Sequence, residues 1–582
     1  MTQSLFFRWI LVLTLFALVA CAPPAEPPAD SPAQDPPSEA PVVTDLGLPD
    51  GAEAAEAAIT GDYLREVIAV LADDKLEGRG PGTPGDEEAR KYMAEQMAAI
   101  GLEPGGPDGS WEQVFDIVSV TSEGPKEWVF KTAAGEVAIP FWDGYIATSG
   151  VQEATASIND AELVFVGYGI EAPEYEWNDF KGRDLTGKVL VMLNNDPDWD
   201  DHLFEGHRRL YYGRWSYKYE SAERQGAAGA IILHTTESAG YPFQVVQTSW
   251  TGPQLALPAT GDGTSMPIEA WLTYEAAENL LAQAGQDLNA LVESARSQSF
   301  EPVDLGIRTS LTLTNAVESD VRTANVLGLL RGSDPELSQE AVIYTAHHDH
   351  LGRGTPGDDG DDIYNGARDN ASGVAQVLAA ARAFKALPTP PKRSILFALV
   401  GAEEQGLLGS RFYADFPTFA PGRLAANINF DAGNIWGPTE DLVYIGYGKS
   451  SLDRVVELAA ERQERYVVGD LFPDRGFFYR SDQFSLAKIG VPAVYLDGGT
   501  SLRGADAEEG RKRMEEWEAT RYHQPNDELE DDWNFDGMVE DTRVGFISGL
   551  SIAETATLPA WNPGDEFEAA RLAALKAVAE EP

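Results

Sequence analysis

Residues 341–350 read AVIYTAHHDH, and this stretch decides the fold. Its apolar first part predicts a buried strand, and three of the seven histidines of the chain follow directly after it. Strands that alternate with helices predict an α/β fold, with a mostly parallel sheet flanked by helices. That alternation continues along residues 301–559, with further segments at Ser372–Ala386, Ser394–Val400, Leu424–Phe430, Val455–Arg462, Val491–Tyr495 and Met538–Ala553.

Polar residues stand where the predicted strands end, which is where ligands bind in such sheets. His347 follows the first strand, and Glu403 and Glu404 follow the strand at 394–400. Two adjacent carboxylates ordinarily lie in a solvent-exposed turn. In extended backbone, however, neighbours point in opposite directions, so one can bind metal while the other faces water. Asp369 opens the next helix and alone would be interpreted as a helix cap.

Two further segments complete the set of polar residues. Asp431 lies in NFDAG at 429–433, and His523 lies in RYHQPND at 521–527. Together with the residues above, they are the types that hold two zinc-like ions, which favours a hydrolytic reaction.

The order of these segments resembles the co-catalytic di-zinc exopeptidases of peptidase family M28, which include bacterial secreted aminopeptidases and glutamate carboxypeptidases. The resemblance covers residues 301–560 nearly end to end, and EGRG at 77–80 is similar to the family's N-terminal helical region. It implies the zinc-exopeptidase, phosphorylase/hydrolase-like fold and two Zn²⁺ ions per chain, although other divalent ions would also fit. The implied metal ligands are His347, Asp369, Glu404, Asp431 and His523.

The resemblance gives each ligand a place. His347 and Asp431 would bind one ion, and Glu404 and His523 the other. Asp369 would bridge both ions, and the family implies a cis peptide bond after it. Each ion then has three protein ligands, and room remains for a shared hydroxide.

The chemistry that the resemblance implies depends on residues around the ligands. Glu403 would be the general base that takes a proton from water and passes it to the leaving amine. Tyr522 could donate a hydrogen bond to the tetrahedral oxyanion, or it could serve packing alone. Asp349 and Asp527 would orient ligands, and the Asp349 carboxylate could accept the second imidazole N–H of His347.

Selectivity rests on the charges around the site. A carboxypeptidase needs an arginine for the terminal carboxylate of its substrate, and Arg368 or Arg480 could supply it. Asp482 and the acidic field of the protein would suit the α-ammonium group that an aminopeptidase holds. We expect a zinc-dependent aminopeptidase acting on peptides, with a carboxypeptidase or dipeptidase of the same family as the alternative.

Two other functional classes are weighed against these exopeptidases. The same fold hosts catalytically inactive receptor ectodomains, which would be expected to lose ligands. A single-metal acyltransferase of related architecture would not need Asp369 as a bridge. The number of metal ions bound per chain separates it from a two-metal exopeptidase.

Residues 121–300 resemble an inserted protease-associated domain, which implies a β-rich α+β fold. Its segments VGYG at 166–169 and GAAG at 226–229 carry the resemblance. The insert carries no credible ligand set, so we interpret His202, His207 and His234 as structural or surface residues. The acidic loop Asp358–Asp362 could hold calcium, but its spacing favours a solvated loop.

The amino-terminal end predicts a lipoprotein. Residues 1–20 carry Arg8 and an apolar run that is too short to span a bilayer, and they close on LVAC at 18–21. Cleavage would leave Cys21, the only cysteine, as a lipid-bearing first residue anchored to the membrane. Ala22 after it resembles the pattern of outer-membrane lipoproteins, so we expect a lipid-anchored protein of the bacterial cell envelope.

The predicted organisation follows from these segments. Eight prolines in residues 22–41 indicate an extended tether. We expect a signal peptide at 1–20, a Pro-rich tether at 21–58, an N-terminal part of the peptidase domain at 59–120, the insert at 121–300, the catalytic domain at 301–560 and an acidic tail or helix at 561–582.

The charge excludes one class of partner. The chain has 94 acidic and 43 basic residues and a formal net charge of −51. Such a field repels nucleic acid and anionic membrane surfaces, so we expect no nucleic-acid partner. Peptides as substrates are what the family resemblance implies.

Overall fold

The computed structural model describes residues 44–200, 202–259, 266–357, 360–505 and 507–580. The predicted signal peptide, Cys21 and most of the predicted tether lie outside these residues. Within the described ranges, no helix is long and apolar enough to cross a membrane.

The regular elements are numbered in chain order. The helices are α1 (Ala52–Glu56), α2 (Gly61–Leu71), α3 (Pro84–Ile100), α4 (Trp215–Arg224), α5 (Thr236–Ala239), α6 (Phe243–Ser249), α7 (Tyr274–Gln283), α8 (Leu288–Ser294), α9 (Ser372–Ala386), α10 (Leu408–Asp415), α11 (Asp453–Glu461), α12 (Gln483–Lys488), α13 (Ala507–Thr520), α14 (Asp536–Glu554) and α15 (Glu568–Ala579). The strands are β1 (Glu103–Pro104), β2 (Glu112–Glu123), β3 (Glu127–Thr132), β4 (Gly135–Pro140), β5 (Tyr145–Thr148), β6 (Thr155–Phe165), β7 (Glu171–Ala172), β8 (Trp177–Asn178), β9 (Val189–Leu193), β10 (Gly229–His234), β11 (Pro253–Ala256), β12 (Ile268–Thr273), β13 (Val303–Leu330), β14 (Ala341–His347), β15 (Gly352–Arg353), β16 (Ile363–Tyr364), β17 (Ser394–Val400), β18 (Leu424–Phe430), β19 (Asp441–Ile445), β20 (Tyr466–Val468) and β21 (Ala493–Gly498).

The sheet that carries the polar residues is mostly parallel. β14 lies between β17 and β18 and is parallel to both, and β18 is also parallel to β21. The pairings of β13 with β17 and of β19 with β21 are antiparallel. The predicted α/β fold with a mostly parallel sheet flanked by helices is therefore confirmed.

The central strands are buried on both faces, because every residue of β14 is buried. Val342 and Tyr344 face the core that includes α2, α9 and α14, and the Tyr344 hydroxyl donates to the Gly545 carbonyl at 2.8 Å. Ile343 faces the other side, where Leu486 of α12 lies in the same cluster. Such continuous apolar runs are typical of parallel strands covered by helices on both faces.

The long strand β13 joins this sheet to the insert. Its carboxyl half pairs with β17 and with β2, and its amino half pairs with β6 and β3. Beyond β6, the strands β9, β10 and β12 continue in parallel. Many buried apolar side chains between residues 128 and 313 form two hydrophobic clusters of their own. Others in this range, among them Trp177 and Tyr212, pack in one cluster with Tyr479 and Trp561.

The described part of the chain contains regular structure before residue 58, within the range predicted as a tether. Leu46, Ala52 and Ala55 are buried in the same cluster as α2 and α9, and α1 lies within the range assigned to the tether. An alanine-rich segment suits a tether by composition, but alanine is also the best helix former and packs closely.

The carboxyl-terminal segment, expected as a tail or a helix, forms α15 and docks. Trp561 and Phe567 are buried, and the Arg571 guanidinium is 1% exposed. Arg571 Nη1 donates to the Leu424 carbonyl at 2.9 Å, at the start of β18.

Candidate active site

The predicted ligands converge at the carboxyl ends of the parallel strands. His347 is the last residue of β14, and Asp431 directly follows β18. Glu403 and Glu404 follow β17 after a short turn in which Ala402 has a φ of 57°. Asp369 lies just before α9, and its peptide bond to the next residue is cis, as the family resemblance implied.

One group forms around His347. Its Nε2 atom lies 3.1 Å from Asp369 Oδ1 and 3.3 Å from Asp431 Oδ1. All three side chains are largely buried, with at most 13% of a side chain exposed. One imidazole and two carboxylates at this spacing can hold a divalent ion.

A second group forms on the other oxygen of Asp369. His523 Nε2 lies 3.2 Å from Asp369 Oδ2 and 3.1 Å from Glu404 Oε2. Asp369 therefore presents one carboxylate oxygen to each group, which is the arrangement that a bridging carboxylate needs.

A third histidine, which the sequence analysis did not assign to the metal site, lies against Glu404. His350 Nδ1 is 2.7 Å from Glu404 Oε1, and the imidazole is fully buried. His350, Asp369 and Glu404 also lie close enough together to hold an ion. The position of His350 in the cluster HHDH was a signal that could have found it.

Asp349 acts on the backbone of the glutamates and not on His347 as expected. Its Oδ1 accepts from the Glu403 N–H at 3.0 Å and its Oδ2 from the Glu404 N–H at 3.4 Å. The nearest oxygen to His347 Nδ1 is the Asp349 backbone carbonyl at 3.3 Å, whereas the carboxylate is 3.8 Å away. The carboxylate is therefore directed at the two backbone N–H groups that follow β17 and not at the imidazole.

Asp527 holds the bridging segment in the same way. Its two oxygens accept from the backbone N–H groups of Arg368 and Asp369, each at 3.0 Å. The burial of Asp527 raises the pKa of its carboxyl group.

The segment 77–80 packs against the turns that carry the site residues, a role that the sequence did not reveal. Arg79 is fully buried and donates to the carbonyls of His348 at 2.8 Å and Gly366 at 2.9 Å. Gly78 has a φ of 70°, and a Cβ there would lie 2.4 Å from the Tyr364 carbonyl oxygen. This loop therefore requires glycine at 78 and holds the turns that carry the histidines and Asp369.

Burial and neighbouring charges shift the pKa values of Glu403 and His347. Burial raises the pKa of Glu403 well above its ordinary value, and the charges of Glu404 and Asp431 add to this. Burial lowers the pKa of His347, but the charges of Asp431 and Glu403 outweigh it and raise that pKa well above its ordinary value. A carboxyl group with a raised pKa is suited to proton transfer near neutral pH.

The carboxyl groups of Asp369 and Glu404 have lowered pKa values, in contrast to that of Glu403. Burial opposes ionisation of Asp369 and Glu404, but hydrogen-bonding imidazoles lower the Asp369 pKa well below its ordinary value, and His350 and His523 lower that of Glu404 to about 2. Against its own burial, His523 has its pKa raised to about 10 by the same two carboxylates. Positive charge is thus strongly favoured here, whether as protons or as metal ions.

The site opens into a cavity of about 140 Å³. Its walls are mostly apolar, and its floor contains His347, Asp369, Glu403, Asp431 and His523. Tyr522 also lines it, is 37% exposed, and stacks on His523 with ring centroids 3.8 Å apart. The remaining lining residues are Arg368, Ala432, Val443, Ile445, Asp470, Leu471, Phe472, Phe477, Arg480, Ser481, Tyr495, Asp497, Met514, Trp517 and Glu518.

The three predicted substrate-binding residues occupy different environments. Arg480 is exposed and lines the cavity, and its guanidinium lies 5.1 Å from the centre of the Phe477 ring. Arg368 lines it too but is 4% exposed, and its Nε donates to the Gly433 carbonyl at 3.0 Å. Asp482 is fully buried and does not line the cavity, because the backbone turns it inward at the start of α12.

Three further histidines lie in the insert and do not join this cluster. His202 and His207 are exposed, and His234 is 5% exposed. In the acidic loop, residues 358 and 359 lie outside the described part of the chain. Asp362 accepts from Arg353 at 2.6 Å.

Comparisons with known proteins show similarity to peptidases. The sequence model of Peptidase family M28 matches residues 325–547, the range that contains every predicted metal ligand and Glu403. Aminopeptidase YwaD of Bacillus subtilis is 27% identical over 364 residues, which cover 60% of this chain and 72% of the relative. Probable lipoprotein aminopeptidase LpqL of Mycobacterium tuberculosis is 28% identical over 292 residues, or 47% of this chain and 53% of the relative.

Among solved structures, the aminopeptidase from Aneurinibacillus sp. strain AM-1 aligns with a TM-score of 0.44 and 20% identity, over 86% of this chain and 95% of that chain. The zinc aminopeptidase BSAP of Bacillus subtilis aligns with a TM-score of 0.38 and 18% identity, over 84% of this chain and 93% of that chain.

Proposed function

We propose that this chain is a zinc-dependent exopeptidase that removes residues from the amino end of peptides. The observation that carries the proposal is the position of Asp369, whose two carboxylate oxygens lie 3.1 Å from His347 Nε2 and 3.2 Å from His523 Nε2. The match to Peptidase family M28 and the aminopeptidase names of the relatives support it.

The donor set fits two zinc ions. Three carboxylates and two imidazoles meet in a largely buried cluster, and carboxylates this close together repel one another unless cations lie between them. His347 and Asp431 would hold one ion, Glu404 and His523 the other, and Asp369 both. Bound zinc would lower the pKa of water and polarise the scissile carbonyl group.

The residues of the chain supply the remaining chemistry. Glu403 lies on the cavity side of the cluster and, in this proposal, takes a proton from the attacking water and passes it to the leaving amine. Tyr522 lines the same cavity beside His523, where its hydroxyl would donate a hydrogen bond to the developing oxyanion. The Asp349 carboxylate accepts from the backbone N–H groups of Glu403 and Glu404 and so keeps them in place. The Asp527 carboxylate does the same for Asp369.

The charges of the cavity favour a free amino group as the part of the substrate that is recognised. Asp470, Asp497 and Glu518 line the cavity, whereas Arg480 is the exposed cation among its lining residues. Arg368 already donates to backbone carbonyls. A carboxypeptidase or dipeptidase is the second candidate, because Arg480 could hold a terminal carboxylate.

Peptide hydrolysis decides between these activities. The full chain, solubilised in detergent and loaded with zinc, would be given peptides of mixed sequence, each with a free and with an acetylated amino end. We expect stepwise loss of amino-terminal residues from the free peptides alone. Cleavage from the carboxyl end of both forms would establish the second candidate, and absence of cleavage would indicate an inactive, receptor-like protein.

We also propose that the protein is a lipoprotein of the cell envelope, with lipid on Cys21. The apolar run that ends in LVAC supports this, and the printed name of LpqL describes a lipoprotein. Incorporation of radiolabelled palmitate into the native chain but not into Cys21→Ser would test it.

We propose further that residues 121–300 form an insert that shapes access to the site. Its separate hydrophobic clusters support the division. The Arg209 N–H, in this range, donates to the Pro473 carbonyl at 2.9 Å, next to the wall of the cavity.

A further inference from the structure

Helix α13 forms one wall of the cavity, although few of its side chains are buried against the rest of the protein. Among its residues 508–520, Trp517 is the one side chain that is buried, with 7% exposed. Eight of these thirteen residues are charged. A helix that is polar on nearly every side has no apolar stripe of its own, so its position depends on the few contacts that it does make.

One contact of α13 is between Trp517 and Arg368. The guanidinium of Arg368 lies 4.3 Å from the centre of the Trp517 ring and 4.8 Å from that of Trp436, so the two indoles flank it. A buried guanidinium between aromatic faces is a strong form of the cation–π interaction. Arg368 is itself fixed, because its Nε donates to the Gly433 carbonyl at 3.0 Å.

Trp517 separates two cavities. The cavity over the proposed metal site includes Trp517 in its wall. A second cavity, of about 380 Å³, is lined by Trp436, Trp517 and Trp533 and otherwise mainly by charged and polar residues. Trp517 is the residue common to both linings, so it lies between the two cavities.

The opposite wall of the first cavity is apolar and faces α13. It includes Leu471, Phe472 and Phe477. Two contacts join the walls at the mouth: Arg475 Nη1 lies 3.4 Å from Glu518 Oε1, and the Arg511 guanidinium lies 5.4 Å from the centre of the Phe472 ring. A side chain inserted between these walls would meet Trp517 at its inner end.

We propose that Trp517 determines the size of the substrate side chain that the cavity accepts, and that Arg368 is the positioning residue that holds Trp517 in place. This inference rests on the proposed exopeptidase function. The chemical class it assigns is a peptide whose terminal residue has an aliphatic side chain, because a bulky bicyclic side chain would collide with the indole.

The test compares p-nitroanilides of L-leucine and L-tryptophan as substrates of the zinc-loaded full chain. Trp517→Ala opens the partition, so we expect kcat/KM for the tryptophan substrate to rise relative to that for leucine by roughly tenfold or more. Trp517→Phe leaves part of the wall and should give a smaller shift in the same direction.

Trp436→Ala is the matched control. Trp436 packs on the same guanidinium but lines the second cavity and not the first. The ratio of the two substrates should stay unchanged in this variant. An equal shift in both tryptophan variants, or none in Trp517→Ala, would overturn the role of Trp517 as the wall.

A binding measurement separates failure of this inference from failure of the proposed function. Calorimetric titration with free L-leucine and L-tryptophan reports the size of the cavity without turnover. If the native chain cleaves no anilide, the proposed aminopeptidase activity fails, but a gain in tryptophan binding relative to leucine in Trp517→Ala would still support the partition. If Trp517→Ala does not fold, Trp517→Phe decides the same comparison.

Discussion

The Ser481 hydroxyl donates a hydrogen bond to Asp431 Oδ2 at 2.6 Å. The same hydroxyl accepts from Asn429 Nδ2 at 2.8 Å, and Asn429 Oδ1 accepts from the Thr345 hydroxyl at 2.6 Å. This chain of bonds starts in β14, crosses β18 and ends on a proposed metal ligand. Because Asn429 supplies one proton to the serine oxygen, the proton of the serine is left to point at Asp431, whose other oxygen faces His347.

Ser481→Ala should weaken binding at the site of His347 and Asp431. Loss of a hydrogen bond that orients a ligand typically costs about 10–100-fold in metal affinity. Competition with a chromophoric chelator would measure the loss. Ser485→Ala is the control, because Ser485 is equally buried and accepts from Ser410 without touching a ligand. Equal affinities in the two variants would show that Asp431 needs no such support.

Glu403→Gln should keep its zinc and lose turnover. The amide has the shape of the carboxylate but cannot take a proton from water, and loss of a general base typically lowers kcat by about 10²–10⁴-fold. Metal analysis and peptide hydrolysis on one preparation would check both parts. Glu404→Gln provides the contrast, since it should lose metal as well. Full turnover in Glu403→Gln would refute the proposed role.

His523 and His350 are both candidates for the second imidazole ligand of the proposed metal site. His523 lies 3.1 Å from one oxygen of Glu404, and His350 lies 2.7 Å from the other. We expect His523→Ala to lose one of the two proposed ions, because only His523 also approaches Asp369 Oδ2 in an ion-pair contact. His350→Ala should retain both ions. The reverse result in metal analysis would make His350 the ligand.

His234 should make the insert sensitive to acid. Its Nε2 lies 3.1 Å from the Tyr241 carbonyl, and burial lowers the pKa of the imidazole. The unfolded chain takes up a proton near its ordinary pKa of about 6.5, whereas the folded chain resists it, so stability is lost as the pH falls below that value.

The matched variant is His234→Gln, which can still donate to the same carbonyl but does not titrate. Urea unfolding at about pH 7.5 and about pH 5.5 should show a steeper loss in the native chain, by at most about 1.4 kcal/mol per pH unit. Identical losses in both chains would mean that the folded imidazole is protonated as readily as the unfolded one.

Lys449 should be essential for the docking of the carboxyl-terminal segment. Its Nζ lies 2.8 Å from Asp565 Oδ2 and 3.1 Å from Glu566 Oε1, and each of these side chains is 3% exposed. Lys449→Met leaves two buried carboxylates unpaired, which typically costs about 3–5 kcal/mol. Lys392→Met removes a half-exposed lysine that pairs with Glu554, and it should cost at most about 1 kcal/mol. Comparison of urea midpoints would check the difference.

The sequence predicted the parts of the fold in which local pattern and tertiary environment agree. The buried strand before His347 and the helix Ser372–Ala386 lie where the apolar periodicity placed them. The polar residues after the strands converge because the carboxyl ends of parallel strands share one edge of a sheet.

Other features depend on geometry that a linear pattern does not contain. The role of Asp349 follows from two backbone N–H groups that are distant from it in sequence. Arg368 turns inward because its Nε meets the Gly433 carbonyl there. The 28 residues of β13 were also not predicted as one strand. Its amino-terminal part, with alternating burial, faces the insert, and its carboxyl-terminal part, which is continuously buried, lies in the central sheet, so the two parts carry different patterns.

The continuity of β13 has a consequence for deletion experiments. Residues 303–314 take their partners from β6, in the insert, while residues 326–330 pair beside the site. Removing the insert would leave a long bare edge whose backbone groups act as a template for strands of other molecules. A shortened chain of this kind should therefore self-associate into aggregates, and its loss of activity would report misassembly instead of the contribution of the insert to recognition.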